Sequence, residues 1–420
     1  MRDVRGVWRA AHNRQMPPAR FAPPRSLNAF SLWLSLPQLI GWGALFYTFS
    51  LLMAPLEAEL GLSRAESSLA FSLALLGEGA AAYAVGRWID AGHERRVMTL
   101  GSLWVGLGLL AHSAVDSVAG FYAVWVWLGL GMAATLYNPA FAIVTRRFGQ
   151  DFRRAIITIT FLGGLASTVF IPLVSWWIER WGWRTSLCLL AALQWGVCLP
   201  LHAWLLRGAP RPRQTPDQVS APLPSVRRFL HQPTFWLLAL FMVLTMALTS
   251  ALPVHMVNLL GEAGLPTAWV VGIPAAIGVL QVLGRMLLFV FEKRWDVHAA
   301  NRWIPALLPT GLLVLVLGGW DPAAALLFVL LYGMGNGMVT IVKGTAMAQY
   351  VSAAHVGQLN GLLGLPIALA RAAAPWIVGL LWSPAVGYRW GLWWMVAASL
   401  AGLAALWTAQ AHALHARQSR

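Results

Sequence analysis

Three observations predict an all-α integral membrane fold, with twelve transmembrane helices in two six-helix pseudo-symmetric halves. The chain has 420 residues, of which 58% are hydrophobic and only 11% charged, whereas a soluble domain carries roughly 25% charged residues. Its apolar stretches run to about 20 residues, the length that crosses a hydrocarbon core of roughly 30 Å. One long polar break, rich in proline and arginine, divides those stretches six and six.

The spans fall at approximately 29–53, 66–90, 96–114, 119–145, 154–178, 184–206, 233–258, 267–291, 302–319, 322–349, 356–381 and 388–411. Pro55, Pro172, Pro253, Pro274 and Pro366 interrupt or border several of them. Helix bundles tolerate this because neighbouring helices satisfy the freed backbone groups. The expected organisation is a basic cytoplasmic tail (1–28), a first half (29–206), a cytoplasmic linker (207–232), a second half (233–411) and a short cytoplasmic tail (412–420). The linker holds Pro210, Pro212, Pro216, Pro222 and Pro224 with five arginines, a composition that reads as flexible. A short repeat accompanies the division. Gly86-Arg87 with Glu94-Arg95-Arg96 recurs 198 positions later as Gly284-Arg285 with Glu292-Lys293-Arg294. Two six-helix repeats about a basic loop are a transporter plan, with substrate bound near the midplane between the repeats.

The formal charge of +15 raises the possibility of a nucleic-acid partner, but its distribution excludes that reading. With the N-terminus in the cytoplasm, 23 of the 30 Lys and Arg residues fall on one side of the membrane. Arg64, Arg180, Arg184 and Arg389 fall on the other, and three lie inside spans. This is the positive-inside pattern, and it places both termini in the cytoplasm. The Arg-rich, acid-poor first 28 residues also fit a transit peptide, although serine is scarce there and the topology needs no presequence. No cleavable secretory signal is visible. Cys188 and Cys198 lie ten positions apart on one helix, about 80° around its axis. That suits packing rather than a disulfide or a metal site.

The three cations inside the spans are Arg285, Lys343 and Arg371, and Glu78 is the only intramembrane carboxylate. A charge at membrane depth costs at least about 2.5 kcal/mol, so such residues mark function by default. Three cations point to a small anionic solute. An enzyme would need a nucleophile beside its base or paired metal ligands. The chain has no G-x-S-x-G, no H-E-x-x-H and no glycine-rich phosphate loop with lysine. No cofactor or metal is expected, and the two-half layout argues against a channel. The rival reading is an efflux pump for drugs or a metalloid oxyacid on the same scaffold.

The loop after the second span reads Gly86-Arg-Trp-Ile-Asp90-Ala-Gly92-His-Glu-Arg95-Arg96. It resembles the signature of the major facilitator superfamily: a glycine, an aspartate four later, then a glycine and a basic pair. Glycine lets the helix end approach its neighbour, and the carboxylate is able to cap a helix or pair with arginine as the halves rock. Within that superfamily the chain resembles the bacterial monocarboxylate and oxalate/formate carriers. Gly41-Trp42-Gly43 ahead of Tyr47, Gln281-Val-Leu-Gly284-Arg285 and Gly333-Met-Gly335-Asn336-Gly337 followed by Lys343 carry this finer match. The resemblance implies a bacterial cytoplasmic-membrane carrier that functions as a monomer. It would move a carboxylate by alternating access, coupled to protons or to a counter-transported anion. Two departures stand out. Gln281 occupies the position where an aspartate often precedes the arginine of helix 8, and Lys293 stands roughly where the second signature would place an aspartate.

Each intramembrane polar residue has two readings. Arg371 lies mid-span, about 15 Å from either interface at 1.5 Å per residue, so it either presents a carboxylate-binding fork or pairs with Glu78. Glu78 in turn is a proton-coupling candidate or a plain ion-pair partner. The internal repeat equates Arg285 with Arg87 at a helix end, whereas the family resemblance sets it one turn deeper, facing the cavity. Gln281 shares its helical face. Lys343 is a cavity cation or a snorkelling lysine, with Asn336 two turns before it. Tyr137 and Asn138 before Pro139 line the cavity or join helices. His255 is a pH-sensitive gate or an ordinary hydrogen-bonded histidine. Most of the 24 tryptophans form interfacial belts, and Trp42 is expected as a cavity wall.

Overall fold

The computed structural model describes residues 26–148, 151–208, 228–291, 296–319, 321–352 and 355–418. The N-terminal basic tail before residue 26, most of the linker, and Glu292, Lys293 and Arg294 of the second repeat lie outside the described residues. Among the described residues, ten continuous helical stretches are long and apolar enough to cross a membrane. Two of them are too long for one crossing: Arg64–Ser113 has 50 residues and Arg154–Leu205 has 52. At about 1.5 Å per residue, either exceeds two hydrocarbon thicknesses. Each reverses at a glycine with positive φ, Gly92 at 87° and Gly182 at 80°, a conformation that a Cβ would oppose. The ten stretches therefore make twelve crossings, as the composition predicts.

These are α1 (Leu27–Leu60), α2 (Arg64–Trp88), α3 (Glu94–Ser113), α4 (Val118–Phe148), α5 (154–181), α6 (183–205), α7 (Pro233–Glu262), α8 (Thr267–Phe291), α9 (His298–Gly318), α10 (Pro322–Tyr350), α11 (Val356–Leu380) and α12 (Arg389–Gln418). Their starts are set locally. Ser63 and Glu66 form a capping box at α2, while Ser117, Asp296 and Asp321 accept from backbone N–H groups of the first turns of α4, α9 and α10. These contacts satisfy N–H groups that a helix leaves unpaired. The span-bordering prolines Pro55, Pro172, Pro253, Pro274 and Pro366 all lie within helices.

The second half has one buried apolar core, from Phe229 to Ala413. The core of the first half is split in two, one part centred on Phe49, Phe71 and Trp125 and the other on Phe30, Ile143 and Ile159. In the first half α2 and α3 both pack on α4; in the second α8 and α9 both pack on α10. The halves meet along α2 with α11, α5 with α8, and α1 with α7. Small residues allow the closest approaches within each half. A Cβ on Gly129 would collide with the Ala74 carbonyl, and one on Gly337 with the Gln281 carbonyl. Gly337→Ala is therefore expected to force α8 and α10 apart and to cost about 1–3 kcal/mol. Intrinsic tryptophan fluorescence during heating in detergent measures this as a lowered Tm, and an unchanged Tm would contradict the tight packing of that pair.

Candidate functional site

Two backbone irregularities bring aromatic residues toward the interface of the halves. In α1 the Thr48 N–H reaches back five residues to the Gly43 carbonyl, and its Oγ1 donates to the same oxygen at 2.8 Å. Such single wide turns often mark functional positions. Here the turn contains Tyr47. Gly43 is required because the Phe170 ring occupies the space of a Cβ. In α4 the helix breaks at Leu136, where ψ is −158°, and restarts with Pro139 in its first turn, a position that needs no N–H. Tyr137 follows the break directly. Its ring lies 4.8 Å from Trp42 and is stacked 5.1 Å from Phe141. Asn138 is exposed.

Tyr47, Ser167, Gln281, Tyr332 and Asn336 line a small cavity of about 20 Å³ between the halves, little more than the space one water needs. The Tyr332 hydroxyl is buried there without a protein partner among the described residues, and so is the Trp42 indole N–H nearby. Unpartnered buried polar groups carry a desolvation cost that a ligand or water would relieve.

Arg285 stands one turn beyond Gln281 on α8. Its Nη1 donates to the Thr160 carbonyl on α5 at 2.7 Å, and its Nε to the Gly337 carbonyl on α10 at 3.3 Å. It is therefore an interior residue bridging the halves, unlike Arg87, which is exposed and lies against Tyr83. Both acceptors are neutral, and among the described residues the guanidinium pairs with no carboxylate. Lys343 is partly buried, with its Nζ 2.8 Å from the Met246 sulfur. It lies within electrostatic reach of both Arg285 and Arg371. Lys343 is thus the common neighbour of the other two cations. Arg371 Nη2 donates to Glu78 Oε2 at 3.3 Å across the halves, and the Arg371 carbonyl accepts from Ser250.

A second polar network joins the halves around the start of α2. Arg64 at the start of α2 pairs with Glu57 of α1 at 3.1 Å and with Glu262 of α7 at 3.0 Å. It also donates to the Tyr388 hydroxyl at 2.7 Å. His255 joins this network, 3.1 Å from Tyr388 and 2.8 Å from the Pro375 carbonyl. Asn258 adds a bond to the Ser50 carbonyl. Nothing in the spacing of these residues announces the cluster, because it is assembled from both halves.

Along α2 and α11, Gly379 packs on Ser68, Arg371 pairs with Glu78 and Ala368 contacts Gly79. Continuing that antiparallel register sets Gly86 opposite Gly361, yet neither has an atom within 4 Å of a Cβ position. Among the described residues, therefore, nothing packs closely against the Cβ position of Gly86. In the loop, Asp90 is exposed, Gly92 makes the turn, and Arg95 donates to the Ala203 carbonyl at 2.7 Å. Arg96 is exposed. The carboxylate held by arginine is Glu94, fully buried and 2.5 Å from Arg147.

The sequence profile of the Major Facilitator Superfamily matches residues 37–341. Monocarboxylate transporter 13 of Bos taurus is 26% identical over 301 residues, 66% of this chain and 66% of that protein. Monocarboxylate transporter 7 of Homo sapiens is 33% identical over 128 residues, 29% of this chain and 24% of that protein. The chain thus covers less than two thirds of the length of these curated relatives. Among solved structures, a bacterial homologue of the human lysosomal transporter Spinster, in an inward-facing and unoccupied conformation, superposes with a TM-score of 0.72 at 18% identity, covering 93% of this chain and 98% of that one. The nucleoside transporter NupG gives 0.70 at 15% identity, covering 91% and 99%. At these identities the likeness is one of fold.

Proposed function

The chain belongs to the major facilitator superfamily, and from that membership we propose that it is a secondary carrier of a small organic carboxylate. The observation that carries this reading is the set of interior cations: Lys343 lies within electrostatic reach of both Arg285 and Arg371, and Glu78 is paired with Arg371. Such a set has surplus positive charge at low dielectric and is suited to an anion. Arg285 offers the fork that matches a carboxylate in bidentate fashion, and its present acceptors are backbone carbonyls that an anion would outcompete. Lys343 adds a point charge. Tyr47, Tyr332, Ser167 and Gln281 supply neutral hydroxyl and amide groups for the rest of the solute, and Trp42 and Tyr137 supply an aromatic wall. The monocarboxylate transporters among the relatives support the same class.

Transport would proceed by rocking the halves about the site. The network of Arg64, Glu262 and Tyr388 is the outer gate, and the loop from Gly86 to Arg96 belongs to the opposite gate. The charge asymmetry of the sequence supports a bacterial cytoplasmic membrane with both termini inside. The Glu78–Arg371 pair sets the substrate charge. Held closed, it leaves one arginine for a monocarboxylate; released by protonation of Glu78, it provides a second site and a route for proton coupling.

The test is uptake of labelled lactate and oxalate into proteoliposomes, with and without an inward proton gradient. Gradient-driven or exchange uptake of either acid is expected, and the preferred acid reports how many arginines are available. Transport of neither acid by folded protein would refute the reading and favour export of an unrelated solute.

A further inference from the structure

On the face away from the other half, α2 and α3 diverge from the Gly92 turn, and α4 floors the gap between them. The result is a groove of about 640 Å³, within the roughly 300–1,000 Å³ that ligand sites occupy. Its walls are apolar and its floor is made of small residues, with Ala84, Gly101, Gly131 and Ala134 among the lining. Trp104 closes the end remote from the loop. It is stacked 3.6 Å from Trp127, and each indole N–H donates to the other's carbonyl at 2.9 Å. That N–H is therefore spent, and Trp104 offers the groove only an apolar face.

The end nearest the loop is different. His93 and Arg96 line it beside the exposed Trp88. Neighbouring basic residues are engaged, Arg95 with the Ala203 carbonyl and Arg147 with Glu94. Among the described residues, neither His93 nor Arg96 has an ion-pair or hydrogen-bond partner. The groove thus joins an apolar trough, on helices that span the bilayer, to an unsatisfied cation at headgroup level. Tryptophan at that level suits the interface, and a basic pocket between helices on the positively charged side suits an acidic lipid head group.

We propose that this groove binds an anionic phospholipid of the leaflet facing the loop. One acyl chain would lie on Gly101, Gly131 and Ala134, and the phosphate would sit between Arg96 and His93. The occupant is a bilayer lipid rather than a free phosphate because the apolar trough and the cationic mouth are continuous.

The experiment uses phosphatidylglycerol and phosphatidylcholine carrying a photoactivatable group on one acyl chain. Each is reconstituted with the full chain, and the adducts are mapped by peptide mass spectrometry. Phosphatidylglycerol adducts are expected to concentrate within residues 81–104 and 130–134. The Arg96→Gln substitution should lower them roughly five-fold, the effect of one surface-level basic charge. Arg96→Lys should retain them, as should Arg302→Gln in the other half. The Arg96→Lys protein keeps the test valid if Arg96→Gln is poorly folded, because free inorganic phosphate and a filling variant, Ala84→Leu, give further readouts. Phosphate should not protect against labelling, and Ala84→Leu should reduce it. Equal labelling by the two lipids, adducts spread evenly over the lipid-facing helices, or labelling unmoved by both Arg96→Gln and Ala84→Leu would overturn the proposal.

Discussion

Carboxylate uptake by the Arg285→Ala protein is expected to fall by about 30-fold to several thousand-fold. Truncating one partner of a buried charge pair costs roughly 2–5 kcal/mol, and each 1.4 kcal/mol is a factor of ten. The alanine also leaves the carbonyls of Thr160 and Gly337 without their donor, so part of the loss is structural. Arg285→Lys separates the two contributions. It keeps the charge but not the planar fork, so uptake should recover partly, with a raised KM. Initial rates over a range of lactate or oxalate concentrations provide the measurement. If alanine leaves KM and rate unchanged, Arg285 is a clasp between helices and the anion binds elsewhere.

The second large effect concerns stability. Arg371→Ala leaves Glu78 buried without its cation, and breaking a buried pair from one side costs about 3–5 kcal/mol. Glu78 is nearly inaccessible and Arg371 mostly so, so solvent offers little relief. The detergent-solubilised Tm should fall by several degrees. Joint replacement, Glu78→Gln with Arg371→Gln, removes both charges and should restore most of that loss. A single variant that keeps the wild-type Tm but loses uptake would instead make Arg371 a ligand for substrate rather than an anchor for Glu78.

Hydropathy made the twelve crossings legible, because a bilayer imposes its thickness on every span. Glycines made the reversals inside the two long helical stretches possible, and Gly92 stood already in a recognisable loop. The three cations were legible for a related reason: charges are rare at membrane depth and so conspicuous in a linear reading. What sequence could not provide was adjacency. Arg285 has neutral acceptors from α5 and α10, 125 and 52 positions away. Arg64 meets residues almost 200 and more than 300 positions distant, Glu262 and Tyr388. Tyr332 carried no charge and broke no helix, so nothing in its neighbourhood distinguished it from packing. Asp90 drew attention by its place in a motif, yet the buried carboxylate of that loop is Glu94, four residues on, because Arg147 approaches from α4.

Arg64 also bears on the kinetics of a carrier cycle. It is held by one carboxylate of its own half, Glu57, and one of the other, Glu262. Separating the halves at this end therefore takes the guanidinium from two anions to one and never strands it, while Glu262 keeps the Trp382 indole as a donor. Opening at this end begins with the rupture of an ion pair and the Tyr388 bond. Transport rates that depend on this opening should consequently carry a large activation enthalpy, measured from initial uptake at several temperatures. Glu262→Gln should lower that enthalpy and shift the resting population toward the state open at Arg64.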